Sequence, residues 1–165
     1  MNLASAFSSE EQNLFNPAYV GTILYHAIRE CQTKNSKGLH CSLPYLLVPL
    51  ALSNRYSQIL PKHITTPLAG WFSDNEGTLV GFPSSVNAFI DITNTALYFL
   101  LNNGAIILEA DGFLNIVDDR LAKNPSKVKN NSEFKHGFQS AGFLGRWFSC
   151  AGSAEVIYSQ LGVTP

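Results

Sequence analysis

The clearest pattern of apolar positions lies between residues 84 and 104. Apolar side chains recur there three and four positions apart, which places them along one side of an α-helix. The stripe consists of Val86, Phe89, Ile90, Thr93, Leu97, Leu100 and Leu101. Two asparagines and Gly104 follow, and residues of this kind commonly end a helix. The pattern therefore predicts a helix over about 84–103.

Two short apolar runs, 105–108 and 113–117, follow this helix directly. Between them lie Asp111 and Gly112, a strong signal for the turn of a β-hairpin. Several helices followed at once by a hairpin are typical of a winged-helix domain. The pattern predicts a mainly helical α+β fold with a winged-helix-like core, one hairpin as its wing, and a pair of helices over 133–165.

Helical patterns also occur upstream, each with its own signals. Asn16 and Pro17 predict the start of a helix, with Asn16 as the cap and Pro17 in the first turn. A second helix is predicted from Ser42 to about residue 60, although Pro49 makes a pair of shorter helices equally compatible with the sequence. A short third helix is predicted near residue 70.

The remaining segments complete the predicted organisation. Residues 118–132 are polar and basic and predict an exposed loop. The last part predicts one helix over about 133–150 and another that Ser153 caps and Gly162 ends. Residues 1–13 are polar and predict a flexible N-terminus, so we expect a single domain over 14–165.

Charge is scarce in this chain. Lys, Arg, Asp and Glu make up 14% of the residues, against about 25% in globular proteins. A weakly charged surface suits a subunit that partners cover, because interface cores are depleted in charge. A monomer with a surface rich in Asn and Ser is the alternative. The net charge of −1 disfavours a protein whose main task is to grip phosphates.

Basic residues concentrate in one stretch, 120–136. The predicted helix over 84–103 contains no Lys or Arg, which disfavours direct base readout by that helix. The basic stretch could still contact a DNA backbone without sequence preference, although a solvated charged loop is the simpler explanation. The candidate contact residues are Arg120, Lys123, Lys127, Lys129 and Lys135.

No motif for catalysis or cofactor binding is present. The sequence holds no phosphate-binding loop, zinc-protease helix or nucleophile elbow, and its histidines and cysteines lack ligand spacing. We therefore expect a protein that is not an enzyme and holds no metal or cofactor. An uncatalogued enzyme would need a pocket with converging titratable groups. Without a secretory signal or an apolar run of membrane length, a cytoplasmic protein with no membrane contact is predicted.

Residues 142–165 are rich in patterned apolar positions and hold one arginine beside a tryptophan. Trp147 can bury a large area, and Arg146 can stack on an aromatic ring or pair with a carboxylate. Both residue types are enriched at binding hot spots. A helix pair that closes the core explains Trp147 equally well. Both hold if the apolar side packs inward while Arg146 projects to a partner.

Three segments resemble those of one protein family. They are LFNPAYVG from residue 14, LPYLLVPLAL followed by Leu60 and Pro61, and AGFLGRWFSCAGSAEVIYSQLGVTP over 141–165. In this order and spacing they resemble the middle component of bacterial ABC-three-component systems over residues 14–165. Thr164 departs from the arginine that is usual at its place.

The resemblance implies a small non-catalytic subunit encoded between an SMC-like ABC ATPase and an effector, commonly a nuclease. Lamassu-type systems, which act against phages and plasmids, are similar assemblies. In them the middle component is expected to bind the ATPase and to help hold the effector inactive until foreign DNA is sensed. Any contact with DNA would then be made through the assembled complex.

We expect the partner contacts at Phe15, Asn16, Pro17, Arg146, Trp147 and Leu161. The first helix start explains Asn16 and Pro17 equally well. The competing hypothesis is an independent winged-helix regulator that binds DNA, and it requires a contiguous basic face that includes the recognition helix.

Overall fold

A computed structural model describes residues 16–119 and 121–164 of the chain, and of Lys127 it describes the backbone alone. The flexible N-terminus predicted for residues 1–13 lies outside the described residues. The same holds for two of the predicted contact residues, Phe15 and Arg120.

Helices dominate the described part of the chain. The elements are α1 Pro17–Gln32, β1 Leu39–His40, α2 Pro44–Leu52, α3 Asn54–Ser57, α4 Leu68–Asp74, α5 Glu76–Leu79, α6 Phe82–Asn102, β2 Ile106–Leu108, β3 Phe113–Ile116, α7 Ser126–Lys129, α8 Ser132–Cys150 and α9 Ala154–Gln160. The strands form one small sheet, so the predicted mainly helical α+β class is confirmed. No helix in the described ranges combines the length and the apolar character needed to cross a bilayer.

The three strands form an antiparallel sheet in the order β1-β3-β2. The pair β2 and β3 is the predicted hairpin, with Leu108 opposite Leu114. Gly112 takes a φ of 87° beside the turn, a conformation that favours glycine. The sequence pattern does not indicate β1, whose Leu39 pairs with Leu114. The winged-helix-like arrangement of these elements stays a prediction.

Two predicted segments differ in detail from the structure. Of the two alternatives for the segment from Ser42, the structure shows the pair of shorter helices, but the first begins at Pro44, passes through Pro49 and ends at Leu52, so the break lies at Ser53 and not at the proline. Burial of this apolar helix on nearly all sides outweighs the one hydrogen bond that Pro49 cannot donate. The exposed loop expected over 118–132 contains the helical turn α7, because Val128 buries its side chain there.

The predicted helix starts are confirmed at both ends of the fold. The Asn16 side chain accepts a hydrogen bond from the Ala18 N–H at 2.9 Å, and Pro17 takes the first position of α1. The Ser153 hydroxyl caps α9 and accepts from the Val156 N–H at 3.4 Å. The helix pair predicted over 133–165 is therefore present as α8 and α9.

The closest packing in the core joins α1 to α8. A Cβ on Gly145 of α8 would lie 2.2 Å from the carbonyl oxygen of Ala27 in α1, so the two backbones approach at a distance that only glycine permits. Two residues further on, Trp147 sets its ring edge-to-face against Trp71, with centroids 5.2 Å apart. Its Nε1–H donates to the Thr66 carbonyl at 2.8 Å. The close approach at Gly145 and the two interactions of Trp147 together fix the position of α8 in the core.

We predict that Gly145→Ala lowers the free energy of unfolding by about 1–3 kcal/mol, because the added methyl forces α1 and α8 apart in a packed core. Urea denaturation of the purified chain measures the change. The matched control is Gly70→Ala, since a Cβ at Gly70 of α4 meets nothing within 4 Å. That variant should be neutral or gain up to about 1 kcal/mol from its higher helix propensity. Equal stability of the two variants would contradict the packing argument.

Candidate functional site

The structure places two of the predicted partner-binding residues inside the protein. Trp147 and Leu161 are each 1% exposed, within the main apolar core. Such burial leaves no side-chain surface for a partner, so the structure gives both residues a packing role. Of the two explanations that the sequence left open for Trp147, closure of the core is the one observed.

Arg146 lies at the surface and is partly exposed. Its guanidinium donates to the carboxylate of Glu30 on α1, and both side chains are more than half covered. This ion pair ties α8 to α1 across the close contact at Gly145. The sequence predicted that the Arg146 side chain projects to a partner. In the structure it is paired with Glu30 of the same chain.

Asn16 and Pro17 occupy the start of α1, where they act as helix cap and first-turn residue. Asn16 is exposed and Pro17 is half-buried. Their contact with a partner stays a prediction, and Phe15 beside them lies outside the described residues.

The basic stretch lies over a cleft between α1 and α8, which we call the charged cleft. The part nearest α8 has a volume of about 320 Å³. It is lined by His26, Glu30, Asn124, Val128, Lys129, Lys135, Phe138, Gln139 and Arg146. It adjoins a second part that includes Arg29, Asp119 and Lys123. Three of the predicted basic residues thus line one concavity, while Arg120 and the Lys127 side chain lie outside the described residues.

Two residues of α1 hold the basic stretch in place. The buried Arg29 donates to the Leu121 carbonyl at 3.0 Å and lies 3.8 Å from the Asp119 carboxylate. The Tyr25 hydroxyl donates to the Asp118 carbonyl at 2.5 Å. The segment is therefore anchored to the core at its beginning.

His26 forms part of the cleft wall. Its ring stacks on Phe138 with centroids 3.8 Å apart, and burial lowers its pKa to about 4. The Arg29 Nη2 lies 3.4 Å from Nδ1. Because a guanidinium can only donate, Nδ1 accepts, and the neutral imidazole carries its proton on Nε2. His26 is thus uncharged at neutral pH.

A second concavity, which we call the apolar groove, lies between α6 and the hairpin. Its volume is about 720 Å³, and none of its lining residues is charged. It is lined by Cys41, Ser42, Tyr45, Asn94, Thr95, Leu97, Tyr98, Leu101, Leu108 and Leu114. The Tyr45 hydroxyl donates to Asn94 Oδ1 at 2.5 Å across its wall. The groove is thus preformed, with few polar groups.

Large apolar side chains surround this groove on the surface. Tyr98 is 68% exposed and Leu108 is 53% exposed, and Ile107 and Leu101 are partly exposed beside them. The apolar stripe predicted from the sequence includes Leu101 but not Tyr98, so it does not indicate this patch. The signal that the sequence does contain is that α6 carries apolar residues on more than one face.

Within the described residues, no three His, Cys, Asp or Glu side chains come together in a group that could hold a metal ion. The cysteines at 31, 41 and 150 are all free thiols.

Comparison with known proteins gives one match. A family model described as ABC-three component (ABC-3C) system Middle Component 3 matches residues 4–165, nearly the whole chain. No curated protein matches the chain, and no solved structure matches it.

The lowered pKa of His26 predicts a pH dependence of stability. The unfolded state binds a proton near pH 6.5 and the folded state near pH 4, so the contribution of neutral His26 is complete above pH 6.5 and is lost as the pH falls towards 4. Its upper limit is about 3 kcal/mol. Urea denaturation at several pH values measures the slope.

The matched variants are His26→Gln and His63→Gln, the second at an exposed histidine outside the cleft. We expect His26→Gln to flatten the fall in stability between pH 6.5 and 4, and His63→Gln to leave it unchanged. A slope that is unaltered in His26→Gln would show that other groups cause the acid sensitivity.

Proposed function

The chain belongs to the Middle Component 3 family of ABC-three component systems, and on that premise we propose that it is a non-catalytic accessory subunit of such a system. In this proposal it binds the SMC-like ABC ATPase and helps to hold an effector nuclease inactive in defence against phages or plasmids. It acts in the cytoplasm, as in Lamassu-type systems. Family membership supports the role in a multi-component assembly, and the surface of the chain supports a way to bind the partner.

The observation that carries this proposal is the apolar groove. An exposed aromatic residue, Tyr98, and an exposed aliphatic residue, Leu108, flank an uncharged concavity on a chain that is poor in charge overall. Contiguous exposed apolar surface on a folded protein marks an interaction site. Tyrosine anchors that fill a partner's pocket are typical of interface hot spots.

The chemistry of the groove selects a protein partner. Interface cores are depleted in charge and enriched in aromatic residues, and α6 matches this with Asp91 as its one charged residue. In this proposal the groove is the surface that docks on the ABC ATPase. Effector contacts would then use other surfaces of the chain.

The competing function, a winged-helix regulator that binds DNA by itself, fits this surface less well. The strand order β1-β3-β2 and the hairpin that follows α6 support a winged-helix-like core with α6 in the place of the recognition helix, and four further helices, α2 to α5, lie between β1 and α6. Major-groove readout uses Arg, Lys, Asn or Gln side chains. α6 has no Arg or Lys, and its exposed residues include Asp91, which would repel phosphate, and large apolar side chains such as Tyr98. The same surface favours docking to protein.

The test is co-expression with the products of the adjacent genes, followed by affinity purification and size-exclusion chromatography. We expect the chain to co-elute with the ATPase, and Tyr98→Glu combined with Leu108→Glu to weaken binding at least about 30-fold, since charges in a desolvated interface cost 2 kcal/mol or more. Both side chains are more than half exposed, so the double variant should fold, which circular dichroism verifies.

The matched control is Val80→Glu combined with Val156→Glu, which adds the same charge at exposed apolar residues outside the groove. This control should co-elute like the unmodified chain. Equal co-elution of both double variants would remove the groove from the interface. A chain that ignores its neighbours and binds duplex DNA at physiological salt would favour the regulator.

A further inference from the structure

The charged cleft concentrates positive charge on a chain with a net charge of −1. Five of the described residues that line its two adjoining parts are basic and two are acidic. The basic residues are Arg29, Lys123, Lys129, Lys135 and Arg146, and the acidic ones are Glu30 and Asp119. A concavity lined mainly by one sign of charge raises the local concentration of ions of the opposite sign.

Both carboxylates in the cleft are already paired with arginines. Glu30 accepts from Arg146, and Asp119 lies beside the buried Arg29. No described residue forms an ion pair with Lys123, Lys129 or Lys135. The charges of these three lysines are therefore available to a ligand.

His26 forms the cleft wall at the side of α1, but its ring is covered by α8. Among the described residues, His26 Nε2 has no hydrogen-bond partner. A Cβ at Gly142 would collide with this nitrogen, so the Nε2 edge of the ring packs against the α8 backbone and is covered by it. The groups of the cleft that can bind phosphate oxygens are therefore the charged lysine ammonium groups.

The shape of the cleft restricts the size of the ligand. The part nearest α8, which Lys129 and Lys135 line, has a volume of about 320 Å³, and the adjoining part has about 480 Å³; each lies in the lower half of the range for small-molecule sites. A DNA duplex presents phosphates along an extended backbone and requires a broad basic surface. The concavity instead fits a terminal phosphate with a small attached group.

We propose that the charged cleft binds a phosphate group, carried either by a free nucleotide or by the phosphorylated end of a nucleic-acid strand. Lys129 and Lys135 hold the phosphate oxygens. Neither of these residues lies in the apolar groove. A result for or against the phosphate site therefore does not decide whether the groove binds the ATPase.

Isothermal titration calorimetry on the full chain tests the site, at a salt concentration of about 50 mM where electrostatic binding is strong. The probes are pyrophosphate, ATP without magnesium, and one short single strand with either a 5′-phosphate or a 5′-hydroxyl. We expect pyrophosphate to bind, and Lys129→Gln combined with Lys135→Gln to weaken it at least about tenfold through the loss of two charge-assisted hydrogen bonds. Both lysines are exposed, so the variant should fold.

The matched control, Lys37→Gln combined with Lys62→Gln, removes the same charge at exposed lysines outside the cleft. It should bind pyrophosphate like the unmodified chain. Equal weakening in both double variants, or no binding of any probe, would overturn the proposal.

The two sources of the phosphate give different results. Preference for the 5′-phosphorylated strand over both the 5′-hydroxyl strand and ATP identifies a strand end. Tighter binding of ATP than of either strand identifies a free nucleotide. Equal binding of the two strands with no competition from pyrophosphate would mean backbone contact outside the cleft, and would overturn the site.

Discussion

The close approach of α1 and α8 is the constraint on which the rest of the structure depends. It exists because residue 145 has no side chain where the carbonyl of Ala27 presses against α8. The approach brings Arg146 within reach of Glu30 and sets the His26 ring on Phe138. It also drives Trp147 into the core, where its N–H reaches the Thr66 carbonyl. The charged cleft lies where this contact between α1 and α8 reaches the surface.

The two faces of α6 lie in different surroundings. One face, with Val86, Thr93 and Leu100, is buried against the core. The other carries Tyr98 and Leu101 into the apolar groove beside the hairpin. A helix with apolar residues on both faces is stable in a subunit whose second face is covered on assembly. The scarcity of charge in the whole chain is consistent with this arrangement.

Local signals in the sequence were enough to predict the elements that begin and end at capping residues. Asn16 with Pro17, Asp111 with Gly112, and Ser153 each mark a boundary that the structure contains. These signals work because a cap or a tight turn is decided by residues that are neighbours in the chain. The mainly helical α+β class follows from them.

Features that depend on distant residues could not be predicted in this way. β1 is only two residues long and exists because Leu39 pairs with Leu114. The pairing of Arg146 with Glu30 joins positions 116 residues apart, and no periodicity reports it. The apolar groove needs the hairpin to lie beside α6. The sequence therefore predicted the lysines of the charged cleft but not the apolar groove, and it predicted partner contact at Trp147 and Leu161, which the tertiary packing buries.

The anchoring of the basic stretch has a consequence for how this protein can diverge. Tyr25 and Arg29 hold the segment through the main-chain carbonyls of residues 118 and 121. Every residue type offers such a carbonyl, so these two bonds do not constrain the side chains that follow. Mutations at exposed positions of this segment, such as Lys123 and Lys129, can thus alter what the cleft selects while the anchoring bonds, the buried Val128 and the Asn131 cap of α8 persist. The residues that anchor the segment are therefore different from the residues that would select a ligand.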